Sequence, residues 1–88
     1  MAITTTYKVL FWKDIPSMIE AEDTTGDVIM ESMGERFEVL IDAKAMALGI
    51  KGGDAYTDAF LYGDESELPG DAESVVGQLK QKFESEFN

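Results

Sequence analysis

At 88 residues, 44% of them hydrophobic and 28% charged, the chain has the composition of one globular domain with a single core. It holds no cysteine and no histidine, which excludes disulfides, thiolate zinc sites and histidine-based triads and removes the usual general base near neutral pH. With 18 acidic against 7 basic residues the formal charge is -11, which disfavours nucleic acid and anionic membrane as partners.

The plainest use of this acidity is solubility; a basic partner, nucleic-acid mimicry and a salt-rich habitat are the alternatives. No segment approaches the ~20 apolar residues that span a bilayer. The first six residues lack the basic start and apolar run of a signal peptide, so a cytoplasmic protein is expected.

Residues 4–13 read as a strand, with Tyr7, Val9 and Phe11 on one face and Lys8, Leu10 and Trp12 on the other. Both faces turn apolar towards its end, which suits the middle of a sheet. Asp14-Ile15-Pro16-Ser17 has turn chemistry, and a second strand over 18–22 completes an antiparallel hairpin. Thr24-Thr25-Gly26-Asp27 is another turn, after which Val28-Ile29-Met30 forms either a third strand or an ordered loop.

Ser32 and Glu35 fit a capping box. The helix they would open carries Phe37, Leu40, Ile41 and Leu48 on one face, continuing Met33, and stops at Gly49. Val39, Ala43 and Met46 form a second stripe, and a helix apolar on two sides is usually covered on both. The sheet would supply one cover, and a second helix or another copy in a homodimer the other.

Gly52 and Gly53 punctuate the chain before residues 55–62, which read as a strand with Tyr56, Phe60 and Tyr62 on one face, or as a short helix capped by Asp54. An acidic loop over 64–70 follows. Asp71 then caps a closing helix with the stripe Val75, Val76, Leu79, Phe83 and Phe87, weakened at Gly77 by about 1 kcal/mol relative to alanine. The expected fold is α+β in the order β-β-α-β-α: one domain over residues 1–88, with an N-terminal hairpin and two helices packed on a small sheet.

Three features bear on function. In Trp12-Lys13-Asp14-Ile15-Pro16 a turn gathers an aromatic, both signs of charge and a proline; such a group anchors a binding surface or ends a strand with a core tryptophan. Lys44 falls on the apolar face of the first helix, so it snorkels, pairs with a carboxylate, or joins Arg36 in holding an anion. The acidic run Asp64-Glu65-Ser66-Glu67 with Asp71 and Glu73 does not match the EF-hand spacing. It reads as a solvated loop before a capped helix, and no metal site is expected.

The spaced pattern Trp12-Lys13-Asp14-Ile15-Pro16, Glu35-Arg36-Phe37-Glu38, Ile41-Asp42, Ala45-Met46 and Gly53-Asp54-Ala55-Tyr56 resembles the small bacterial family labelled "virulence factor". The resemblance spans roughly residues 7–62. It implies that the hairpin turn and first helix belong together, and it implies no reaction, cofactor or catalytic residue. The chain departs from the family in carrying Glu22, Asp23 and Asp27 where basic residues are usual, and Tyr62 and Gly63 where a tryptophan and arginines are usual.

The leading expectation is a non-enzymatic accessory domain, without a cofactor, that docks on another protein through Trp12, Lys13, Asp14, Arg36 and Lys44. The alternative is an anion-binding protein or enzyme subunit using Lys44 and Arg36 beside Asp14 or Asp42.

Overall fold

The computed structural model describes residues 2–50 and 53–87. Its elements are β1 (Thr4–Trp12), β2 (Ile15–Asp23), β3 (Val28–Ser32), α1 (Glu35–Ala47), α2 (Gly53–Asp58), β4 (Phe60–Tyr62), β5 (Ser66–Pro69) and α3 (Ala72–Glu86). The fold is α+β with an N-terminal hairpin, as the sequence anticipates. β3, α2 and β5 add to the expected order.

The sheet is antiparallel, in the order β3-β2-β1-β4, with β5 also paired to β1. β1 is rich in threonine, aromatic and branched residues that suit a pleated surface, and it lies inside the sheet. On its far side the fourth position is split: β4 pairs with Leu10–Trp12 and β5 with Thr4–Tyr7. The Gly63 N–H bridges the interruption by donating to Val9 O at 2.9 Å.

Pro16 belongs to β2 and not to a turn. Leu10 pairs with Met18 and Phe11 with Pro16, so Ser17 is an extra residue that bulges the strand, a position that tolerates the missing proline N–H. The true turn is Lys13-Asp14, closed by the Trp12–Ile15 pair, with Lys13 in the left-handed region at φ 57°.

Before the bulge, over Thr5–Val9 and Ile19–Asp23, the odd-numbered side chains of β1 and β2 meet the helices. Val9, Ile19 and Ala21 are buried with Ala72, Val75, Val76 and Leu79 of α3. Phe11 meets Phe83 edge-on, with ring centroids 6.1 Å apart. Asp71 caps α3 as expected, accepting the Ser74 N–H at 2.8 Å.

α1 starts without the expected box. β3 runs on to Ser32, so the N-cap is Gly34, at φ 104° and without a side-chain cap. The Ser32 hydroxyl instead accepts the Gly34 N–H at 3.0 Å. Phe37, Ile41 and Ala45 are the buried stripe of α1. Leu48, expected beside them, is exposed, because α1 ends at Ala47 and Gly49 turns the chain at φ 76°.

Residues 55–62 divide into helix and strand. α2 begins at Gly53, so Asp54 sits in its first turn and not at a cap. Gly52 lies outside the described residues. The expected acidic loop 64–70 contains β5, held by β1 through pairs such as Thr5–Leu68.

Candidate functional site

Trp12 is a core residue with 0% of its surface exposed, so of its two readings the core tryptophan at a strand end holds, and it does not present its ring to a partner. The indole N–H donates to Tyr56 O at 3.0 Å, and the ring packs against Tyr56 at 5.5 Å. An aromatic with its polar atom satisfied inside is a structural anchor.

Lys13 and Asp14 stand exposed at the hairpin tip. Lys44, half-buried on α1, pairs with Asp14. The hydrogen bond from Lys44 holds the Asp14 carboxyl below its usual range. Arg36 lies eight residues before Lys44, ~12 Å along the helix axis, and donates to Phe87 O at 3.3 Å. The tip therefore gathers Lys13, Asp14 and Lys44, while Trp12 lies inside and Arg36 joins the start of α1 to the end of α3.

A different surface emerges from the alternation of β1 and β2. Over Thr6–Leu10 and Met18–Glu22 their even-numbered side chains point away from α3, whereas Trp12, beyond the bulge, is covered by Tyr56 of α2. Strand pairing sets them in rows: Tyr62, Leu10, Met18 and Ser32 in one, then Lys8, Glu20 and Met30, then Glu67, Thr6, Glu22 and Val28. Leu10 and Met18, opposite one another near the sheet's centre, stand outside the described hydrophobic core. Tyr62, Met30 and Val28 are exposed.

Three polar groups meet on this face. The Lys8 ammonium lies 4.4 Å from the centre of the Tyr62 ring, a cation–π geometry. Glu20 pushes the Tyr62 hydroxyl above its usual range, chiefly through the hydrogen bond between them. Glu20 Oε2 is buried and, among the described residues, has no hydrogen-bond partner. A buried acceptor without a donor costs about 1–3 kcal/mol, a cost that water in the adjoining hollow or a donor from a partner would relieve. Beside it Thr6, Lys8, Glu20, Glu22, Val28 and Glu65 line a shallow hollow of about 220 Å³.

The alternation of β1 is legible in the sequence, but this face is not singled out by it. The signal was present in Leu10 and Met18, two apolar residues on the sides of their strands that also carry Lys8 and Glu20. Among the described residues, no cluster of three or more aspartate or glutamate side chains is placed to hold a metal ion. No helix among the described residues is long and apolar enough to cross a membrane. Compared with models of known protein families, with curated proteins and with solved structures, the chain matches none.

Proposed function

We propose that the protein is a non-enzymatic accessory domain, of the kind its Trp12–Pro16 and Glu35–Phe37 segments resemble, which binds another protein on the uncovered face of its sheet. The observation that carries this reading is the row Tyr62, Leu10 and Met18, exposed at Tyr62 and half-buried at Leu10 and Met18, outside the core cluster and beside the unpartnered Glu20 Oε2. An apolar sheet face of this kind gains stability when covered, at about 25 cal/mol per Å² removed from water. Its partner brings apolar side chains for Leu10 and Met18, a donor for Glu20, and basic groups that suit the acidic rim of Glu22, Glu65 and Glu67. The anion-binding alternative draws no support from the geometry, because Lys44 is engaged by Asp14 and Arg36 lies at the other end of α1.

A photo-crosslinking residue placed at Met18, and separately at Val39 on the outer side of α1, tests the reading in extract of the source cell. The Met18 derivative is expected to yield one discrete adduct that purified native protein competes away. An adduct from Val39 alone, or none from either position, would reject the sheet face as the working surface. An adduct of twice the chain's own mass reports self-association and does not count in favour.

A further inference from the structure

β3 ends the sheet, and its hydrogen-bonding pattern shows what it leaves unused. Met33 N–H donates to Ser17 O at 2.9 Å and Asp23 N–H to Asp27 O at 3.0 Å. Hydrogen-bonded pairs alternate along an antiparallel ladder, so β2 and β3 are joined through Ile19–Glu31 and Ala21–Ile29. Val28, Met30 and Ser32 therefore turn their backbone N–H and C=O groups outward, and among the described residues no strand lies beyond them.

Exposed edges are commonly blunted with lysine, proline or a bulge, and Val28–Ser32 contains no lysine or proline. Its one charge, Glu31, points to the helix side, where Lys80 lies 3.8 Å away. Val28 and Met30 are 63% and 62% exposed. The edge is unguarded, apolar and uncharged on its open face.

We propose that a second copy of this chain occupies the edge, with β3 pairing antiparallel to β3 about a two-fold axis at Met30. This inference is independent of the protein-binding reading, since it uses the sheet's edge and not its face. In this register Met30 faces Met30 of the second copy, and Val28 faces Ser32 in both directions. Every outward group is then used, giving about six main-chain hydrogen bonds.

Charge opposes self-association least at this edge. A chain of formal charge -11 meets its own copy most easily where it carries no charge, and Val28, Met30 and Ser32 carry none. The two Glu20 residues stand three strand spacings apart, ~14 Å, beyond the ~8 Å screening length at physiological salt. Glu31 falls beside Ile29 of the second copy, with its own Lys80 near it.

Sedimentation equilibrium over a wide range of protein concentration tests the proposal, since an interface this small gives a concentration-dependent dimer. The wild-type mass is expected to double with concentration, and more readily at higher salt. Met30→Pro removes an outward N–H that the fold itself does not use, so it should stay monomeric with its helix and strand content unchanged. Should Met30→Pro fail to fold, Met30→Glu sets two carboxylates face to face at the axis, each beside Glu20 of its own sheet, and is expected to weaken dimerisation at least tenfold. Monomer at every concentration would overturn the proposal. So would a dimer that tolerates both substitutions, or one abolished by Met46→Lys, which would place the contact on α1.

Discussion

One carboxylate oxygen of Asp23 accepts the backbone N–H groups of Thr25 at 2.9 Å and Asp27 at 3.1 Å, together with the Thr25 hydroxyl. The other accepts the Ala72 N–H at 3.0 Å. A single side chain thus closes the β2–β3 turn and ties it to the first turn of α3, where the helix dipole also favours negative charge. The Thr25 hydroxyl, then the Ala72 N–H, hold its carboxyl down to about 2. The unfolded value is about 3.9, so the folded state binds this proton less tightly than the unfolded chain. The stabilisation is complete above the unfolded value and is lost as pH falls through about 4 towards about 2. Asp23→Asn should lower the melting temperature near neutral pH by more than Asp71→Ala, whose lost cap costs about 1 kcal/mol. The gap between wild type and Asp23→Asn should close as pH falls through that window. A gap constant with pH in thermal melts would show that the charge of Asp23 contributes nothing.

At the scale of elements, α1 has one satisfied side and one bare side. Phe37, Ile41 and Ala45 are buried, whereas Val39 is 59% and Met46 80% exposed. An exposed helix position away from caps and pairs tolerates substitution within about 0.5 kcal/mol. Val39→Lys and Met46→Lys should therefore leave the denaturant midpoint nearly unchanged, whereas Ile41→Ala should cost about 2–5 kcal/mol. A large loss of stability from Met46→Lys would mean that something covers the outer stripe in solution. The second stripe was legible in the spacing of Val39, Ala43 and Met46; the lack of a cover was not, because a cover belongs to the tertiary arrangement. The same holds for Trp12, whose place on β1 follows from alternation while its burial depends on Tyr56, distant in the chain. β1, the body of α1 and the capped α3 were legible because each carries a long period of its own. β4, Phe60–Tyr62, is the end of the strand read over 55–62, whereas β5, Ser66–Pro69, holds its conformation through pairing with β1 and does not announce itself locally. The open face was half visible: its residues could be read from alternation, but not the absence of a roof.

The whole molecule is a thin, elongated plate measuring 50 × 26 × 17 Å that carries a formal charge of -11. At 0.01 M salt the screening length is about 30 Å, longer than the two shorter dimensions, so nearly every carboxylate feels many of the others. At physiological salt it falls to about 8 Å, and repulsion shrinks to near neighbours. The described ion pairs, Lys44–Asp14 and Lys80–Glu31, join partly exposed side chains, and such pairs contribute about 0–1 kcal/mol each. Salt therefore relieves more repulsion than it weakens attraction. Sodium chloride raised from about 10 mM to about 150 mM, the range over which the screening length shrinks most, should increase the melting temperature. Dimer formation would also make melting depend on protein concentration, so the measurement is best made on dilute protein and repeated with Met30→Pro. A rise shared by both chains assigns the effect to self-repulsion within one molecule. A rise confined to the wild type assigns it to the β3 edge, and a fall in both would mean that the local ion pairs outweigh the net charge.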